Sequence, residues 1–161
     1  MKKAVLIFTI IFALCFQTVS ASDIFMENNA LTPPAVHNAN AALLMDMNSG
    51  RLLYGKDINK RVYPASTTKI MTGILAIEMG NFGDVVSASA EAIAPITLED
   101  SQIGILVGEK LTLEQLVNAL LIPSANDAAN VIAFTLGGTV NGFVKQMNNK
   151  AKEIGLENTN F

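Results

Sequence analysis

Three observations predict an α+β fold. Two short apolar segments flank an Asn-Ser-Gly turn early in the chain, several later segments space their apolar residues as helices do, and strands and helices do not alternate regularly. With 161 residues, half of them apolar, the chain can bury one core but is too short for two comfortable domains. The net charge of −3, a pI near 5.1 and the lack of any Lys/Arg cluster argue against nucleic acid or an anionic membrane surface as partner.

In order along the chain, residues 1–21 read as an export signal. Lys2 and Lys3 form a basic start, Ala4 to Phe16 an apolar run too short to span a bilayer, and Val19 and Ala21 supply the small residues of a cleavage site. Cleavage is expected after Ala21. A lipid anchor on Cys15 is disfavoured because Leu14 precedes it and the cysteine lies inside the apolar run. Removal of the signal leaves no cysteine for disulfide, thiol or metal chemistry. Residues 22–40, rich in Asn, Ala and Pro and containing Pro33-Pro34, form an extended linker, and the lone His37 in it reads as a solvated residue. The fold proper is expected over 41–161.

Ala41 to Met47 and Arg51 to Tyr54, on either side of Asn48-Ser49-Gly50, predict a β-hairpin. After Pro64 the apolar residues Ile70, Met71, Ile74, Leu75 and Ile77 surround nearly the whole circumference of a helix that stops at Gly80, so this helix should be buried. Asp84 to Ser87 reads as a further strand, and the stretch from there to Val107 has no clear pattern. A helix from Leu113 to Ile122 opens with a capping box formed by Thr112 and Gln115 and is ended by Pro123. Ala128 to Leu136 begins another, and a last helix runs from Asn141 to Ile154 before Gly155. Repeats and low-complexity tracts are absent from the sequence.

Chemistry concentrates at two places. In Ser66-Thr67-Thr68-Lys69 the serine and lysine share one helix face, so the amine can reach the hydroxyl. Burial and the positive end of the helix dipole both disfavour the ammonium, which pushes Lys69 towards a neutral, basic form. The backbone N–H of Ser66 can contribute to an oxyanion hole. Alone, the motif is weak, since ordinary residue frequencies give roughly one Ser-x-x-Lys in every two chains of this length. The plain alternative makes Ser66 an N-cap and Lys69 a solvated first-turn residue, although acids suit that position better. The second place is Pro123-Ser124-Ala125-Asn126-Asp127 between two helices. There Ser124 or Asn126 either caps the next helix or supplies a proton relay and an amide that holds a substrate backbone.

Together the motifs are far more specific. Tyr63 to Thr72, Ser124-Ala125-Asn126-Asp127-Ala128 and Gly155 to Phe161 resemble the low-molecular-mass penicillin-binding proteins that are serine D-alanyl-D-alanine carboxypeptidases, over about residues 35 to 161. The resemblance implies that Ser66 forms an acyl-enzyme, that Lys69 accepts its proton, and that Ser124 and Asn126 act in proton transfer and substrate positioning. It implies no metal and no cofactor. Its substrates would be peptidoglycan stem peptides ending in D-Ala-D-Ala, with β-lactams as covalent inhibitors, acting outside the cytoplasm. The implied fold is a β-lactamase/penicillin-binding-protein-like antiparallel sheet flanked by helices, with a helical subdomain that takes in most of 108 to 154.

One departure stands out. Members of that family carry a later His-Gly-Leu segment and a Lys-Thr-Gly strand, and neither occurs here. The chain is therefore expected to be the N-terminal part of such a catalytic domain, with membrane association left to a C-terminal segment it does not contain. As an isolated polypeptide it should be poorly stable and have little activity. A serine β-lactamase and a non-catalytic secreted remnant of the fold are the competing readings. Chromogenic cephalosporin hydrolysis separates the first from a carboxypeptidase, and failure of a full-length protein to take up penicillin would favour the second.

Overall fold

The structure, a computed structural model, describes residues 35–161. The expected signal at 1–21 and most of the 22–40 linker lie outside the described residues. The chain divides into two units, one ending at Val62 and one comprising Tyr63–Phe161.

The first unit holds the predicted hairpin. Strands β1 (Ala42–Met45) and β2 (Leu52–Lys56) pair antiparallel, with Leu43 opposite Gly55 and a register shift between Leu44 and Met45. β1 ends at Met45 because Asp46 begins the turn. Its carboxylate accepts from the Ser49 N–H at 2.7 Å and the Ser49 hydroxyl at 2.6 Å. The left-handed φ of +69° at Gly50 closes the reversal, a conformation that glycine adopts without steric cost. Leu43, Leu44, Leu52 and Leu53 remain exposed. Lys56 Nζ donates to the carbonyls of Val36 and Ala39 at 2.6 and 2.8 Å, which ties down the end of the linker, while His37 is exposed as expected.

The second unit is mostly helical. A 3₁₀ turn (Ala65–Thr68) leads into α1 (Lys69–Met79). Strand β3 (Val85–Ser87), a short α2 (Ala90–Ile93), strand β4 (Lys110–Thr112) and helices α3 (Leu113–Leu121), α4 (Asn126–Gly137) and α5 (Val140–Glu153) follow. β3 and β4 pair antiparallel, Val86 opposite Leu111. β4 was not predicted: its three residues are too few for a periodic signal, and the pairing with β3 spans a long loop. Strands thus occur as two separate pairs among the described residues, in an α+β order.

Helix α4 is the hub, in contact with α1, α2, α3 and α5. On α3, Leu113, Leu116, Val117 and Leu120 recur at helical spacing and are all buried; on α5, Phe143, Met147 and Ala151 do the same. Each fully buried Leu or Phe side chain contributes about 1.5–3 kcal/mol relative to exposure. A Cβ on Gly137 would collide with the backbone of Phe143, so α4 and α5 meet there at a distance only glycine permits.

The predicted capping box is present: the Gln115 N–H donates to Thr112 Oγ1 and the Thr112 N–H to Gln115 Oε1. Pro123 follows the end of α3. The last helix ends one residue earlier than predicted, and Gly155 takes a φ of +82°. Helix α1 departs from expectation. Met71, Thr72, Leu75 and Ala76 pack inward, but Ile70 and Ile77 are 60% and 58% exposed, so one face is buried and the opposite face is apolar and open. Its all-round apolar sequence describes a helix covered on both sides, and in this chain α3 and α4 cover one.

Candidate active site

Ser66 sits in the 3₁₀ turn ahead of α1, not at a helix N-cap. Its side chain makes no capping bond, and the Thr67 N–H and hydroxyl close the turn on the Pro64 carbonyl at 3.2 and 2.7 Å. Ala65, immediately before it, has a φ of +50°. A residue with a Cβ pays strain on the order of 1–3 kcal/mol for such a conformation, and strain of this kind concentrates at functional sites.

Lys69, the first residue of α1, lies one turn on. Its Nζ is 3.5 Å from Ser66 Oγ, a long hydrogen bond of the kind that tightens when substrate arrives. Lys69 is half-buried, and that burial holds its ammonium below the ordinary lysine range, while the negative charge of Asp100 pulls the other way. The direction agrees with the sequence argument. The counter-charge from Asp100 was not foreseen.

The Ser124–Asp127 segment enters α4, which starts two residues earlier than predicted. Neither Ser124 nor Asn126 caps it: the N-cap is Ala125, and no side chain bonds there. The capping explanation for both residues therefore fails. Ser124 has a φ of +62°, and its hydroxyl is buried without a hydrogen-bond partner. The two features together make Ser124 a candidate for a functional role.

Asn126 is held from the facing loop. Its N–H donates to the Ser101 carbonyl at 2.7 Å and its Nδ2 to Asp100 Oδ1 at 3.0 Å, while Ser101 Oγ donates to the Pro123 carbonyl at 2.8 Å. Next to it Asp127, 1% exposed, accepts from the N–H groups of Ile103, Gly104 and Ile105 at 3.2, 2.9 and 2.9 Å, and from Ala128 at 2.9 Å. A carboxylate in the first turn of α4 is also favoured by the helix dipole.

The fold thus links Ser66 to Lys69 by contact, Lys69 to Asp100 by charge, and Asp100 to Asn126 by a hydrogen bond. Sequence reasoning missed Asp100 and Asp127. The acid at Asp127 was visible as a first-turn residue, but its loop partners lie 22 to 24 residues away. For Asp100 the local signal was a Thr97-x-x-Asp100 turn, in which the Thr97 N–H and hydroxyl donate to its carboxylate, and nothing in that turn points to Asn126.

Comparison with known proteins agrees with this architecture. The structure superposes on penicillin binding protein 5 from Haemophilus influenzae with a TM-score of 0.73 and 31% identity, covering 81% of this chain and 39% of that one. It superposes likewise on the D-alanyl-D-alanine carboxypeptidase DacD from Francisella tularensis, with a TM-score of 0.71 and 30% identity over 90% of this chain and 36% of that one. The fold is that of the penicillin-binding proteins. A family model described as peptidase S11, D-alanyl-D-alanine carboxypeptidase, matches residues 27–161, and the chain belongs to that family. D-alanyl-D-alanine carboxypeptidase DacF of Bacillus subtilis is 35% identical over 161 residues, 97% of this chain and 41% of the relative. The chain spans about two fifths of the length of the curated relatives it matches.

Proposed function

We propose that the protein is a serine D-alanyl-D-alanine carboxypeptidase that removes the terminal D-alanine of peptidoglycan stem peptides and is acylated by penicillins. Family membership supports the reaction class. The observation that carries the serine mechanism is the 3.5 Å approach of a half-buried Lys69 amine, depressed by that burial, to Ser66 Oγ. A neutral amine at that distance takes the hydroxyl proton as Oγ attacks the carbonyl carbon of the penultimate D-alanine. The tetrahedral intermediate then collapses, the peptide C–N bond breaks, and the departing amine of D-alanine receives a proton. Ser124, with its unpaired hydroxyl, is suited to relay that proton, and Asn126 to hold the peptide backbone. Water attacks the acyl-serine and releases the shortened peptide. The N–H of Ser66, which precedes the first bond of the Ala65–Thr68 turn, is suited to stabilise the developing oxyanion.

The substrate lies in the cell wall, and residues 1–21 have the composition of an export signal, so the protein acts outside the cytoplasm on this reading. The test is covalent labelling of the full-length protein with a fluorescent penicillin. Wild type is expected to form a persistent adduct that maps to Ser66, and Ser66→Ala to form none. Labelling that survives Ser66→Ala overturns the serine assignment, and rapid turnover of the penicillin in place of a lasting adduct points to a β-lactamase.

A further inference from the structure

We propose that Asp100 is a positioning residue: it selects the orientation of the Asn126 amide. The inference rests on the role proposed above for Asn126. An Asn side chain has two ends of nearly equal shape and opposite hydrogen-bonding character, and its function in holding a peptide depends on which end faces the substrate. A carboxylate can only accept. Asp100 Oδ1, 3.0 Å from Asn126 Nδ2, therefore admits one of the two orientations and leaves Asn126 Oδ1 and the second N–H of Nδ2 for other partners.

Asp100 is itself held for this task. Its other oxygen, Oδ2, accepts from the Thr97 N–H at 2.8 Å and the Thr97 hydroxyl at 2.9 Å, so the carboxylate plane is fixed before Asn126 meets it. The next residue, Ser101, is bound on both sides of Ser124 through Pro123 and Asn126, and Asp127 grips Ile103 to Ile105. The loop that presents Asp100 is thus anchored immediately after the acid, at Ser101 and at Ile103 to Ile105. The negative charge of Asp100 also acts on Lys69, in the direction that raises the lysine's pKa. The two effects of Asp100 oppose one another in catalysis. It orders the amide, and it favours the protonated form of the base.

Asp100→Asn removes the charge and leaves one oxygen, which the two Thr97 donors hold, so it presents an NH2 group to Asn126; Asp100→Ala removes the side-chain partner altogether. In the full-length protein, the rate of penicillin acylation and the KM for a D-Ala-D-Ala peptide are measured across pH, with Ser66→Ala alongside. Loss of Asp100's charge lowers the pKa of Lys69, so the acidic limb of the acylation profile moves to lower pH in both variants. Well above that limb, Asp100→Ala should raise KM by about three- to tenfold, the scale of one lost charge-assisted hydrogen bond at a partly solvated site. Asp100→Asn should raise KM by a similar factor, because its own NH2 group, facing Asn126, favours the opposite orientation of that amide. An unchanged KM in Asp100→Ala overturns the proposal while leaving the Ser66 assignment intact. A penicillin adduct in Ser66→Ala overturns the assignment itself.

Discussion

The two sides of the site are built in different ways. The turn that carries Ser66 is held by local contacts, since Thr67 closes on Pro64 and Lys69 reaches back to Ser66, each within three residues. The side that carries Ser124 and Asn126 is stitched across the chain. Six bonds link residues 100 to 105 with residues 123 to 127, and a buried carboxylate, Asp127, gathers three of them. A nucleophile needs its base within hydrogen-bond reach, and here residues three apart in one turn supply that approach. Positioning a substrate backbone requires a rigid frame, which long-range bonds between two loops and a helix start supply.

The largest effect should come from breaking that frame. Asp127→Ala leaves three loop N–H groups and one helix N–H without their acceptor, and should cost on the order of 3 kcal/mol or more of stability in denaturant unfolding. Asp127→Asn, which keeps one acceptor oxygen, should fall between that variant and wild type. A loss below about 1 kcal/mol in Asp127→Ala would mean that the loop is held elsewhere.

A smaller and opposite effect is expected at Ser124. Its φ of +62° suits glycine, so Ser124→Gly should raise stability by up to about 1 kcal/mol. The same change removes the hydroxyl, and acylation should slow by about a hundredfold or more. A variant that is both more stable and slower marks a residue retained for chemistry at the expense of the fold. Unchanged acylation would return Ser124 to a structural role.

This contrast also explains what was legible in the sequence. Ser66 and Lys69 could be paired from spacing alone because their geometry is set by one helical turn. The Thr112–Gln115 capping box and the helix stops near Pro123 and Gly155 were legible for the same reason, being short-range chemistry. β4, the bond between Asp100 and Asn126 and the contacts of Asp127 with the 103–105 loop were not, since each depends on partners more than twenty residues away. The capping function open to Ser124 and Asn126 looked plausible by local rules and was excluded only once the loop opposite them was in view. Helix α1 shows a third case. Its sequence specified apolar faces all round, but a sequence does not say which elements cover them, and here Ile70 and Ile77 stay open.

The proposed chemistry depends on the amine of Lys69 being able to lose its proton next to Ser66. Lys69→Arg preserves length and positive charge but removes that ability, because a guanidinium stays protonated in proteins. The decisive measurement is the rate of penicillin acylation against pH for wild type and Lys69→Arg in the full-length protein. The wild-type rate should rise with pH through an apparent pKa below lysine's ordinary 10.5, and Lys69→Arg should acylate about a thousandfold more slowly or worse, with that rise gone. A Lys69→Arg protein that acylates at the wild-type rate with the same pH profile would contradict the account.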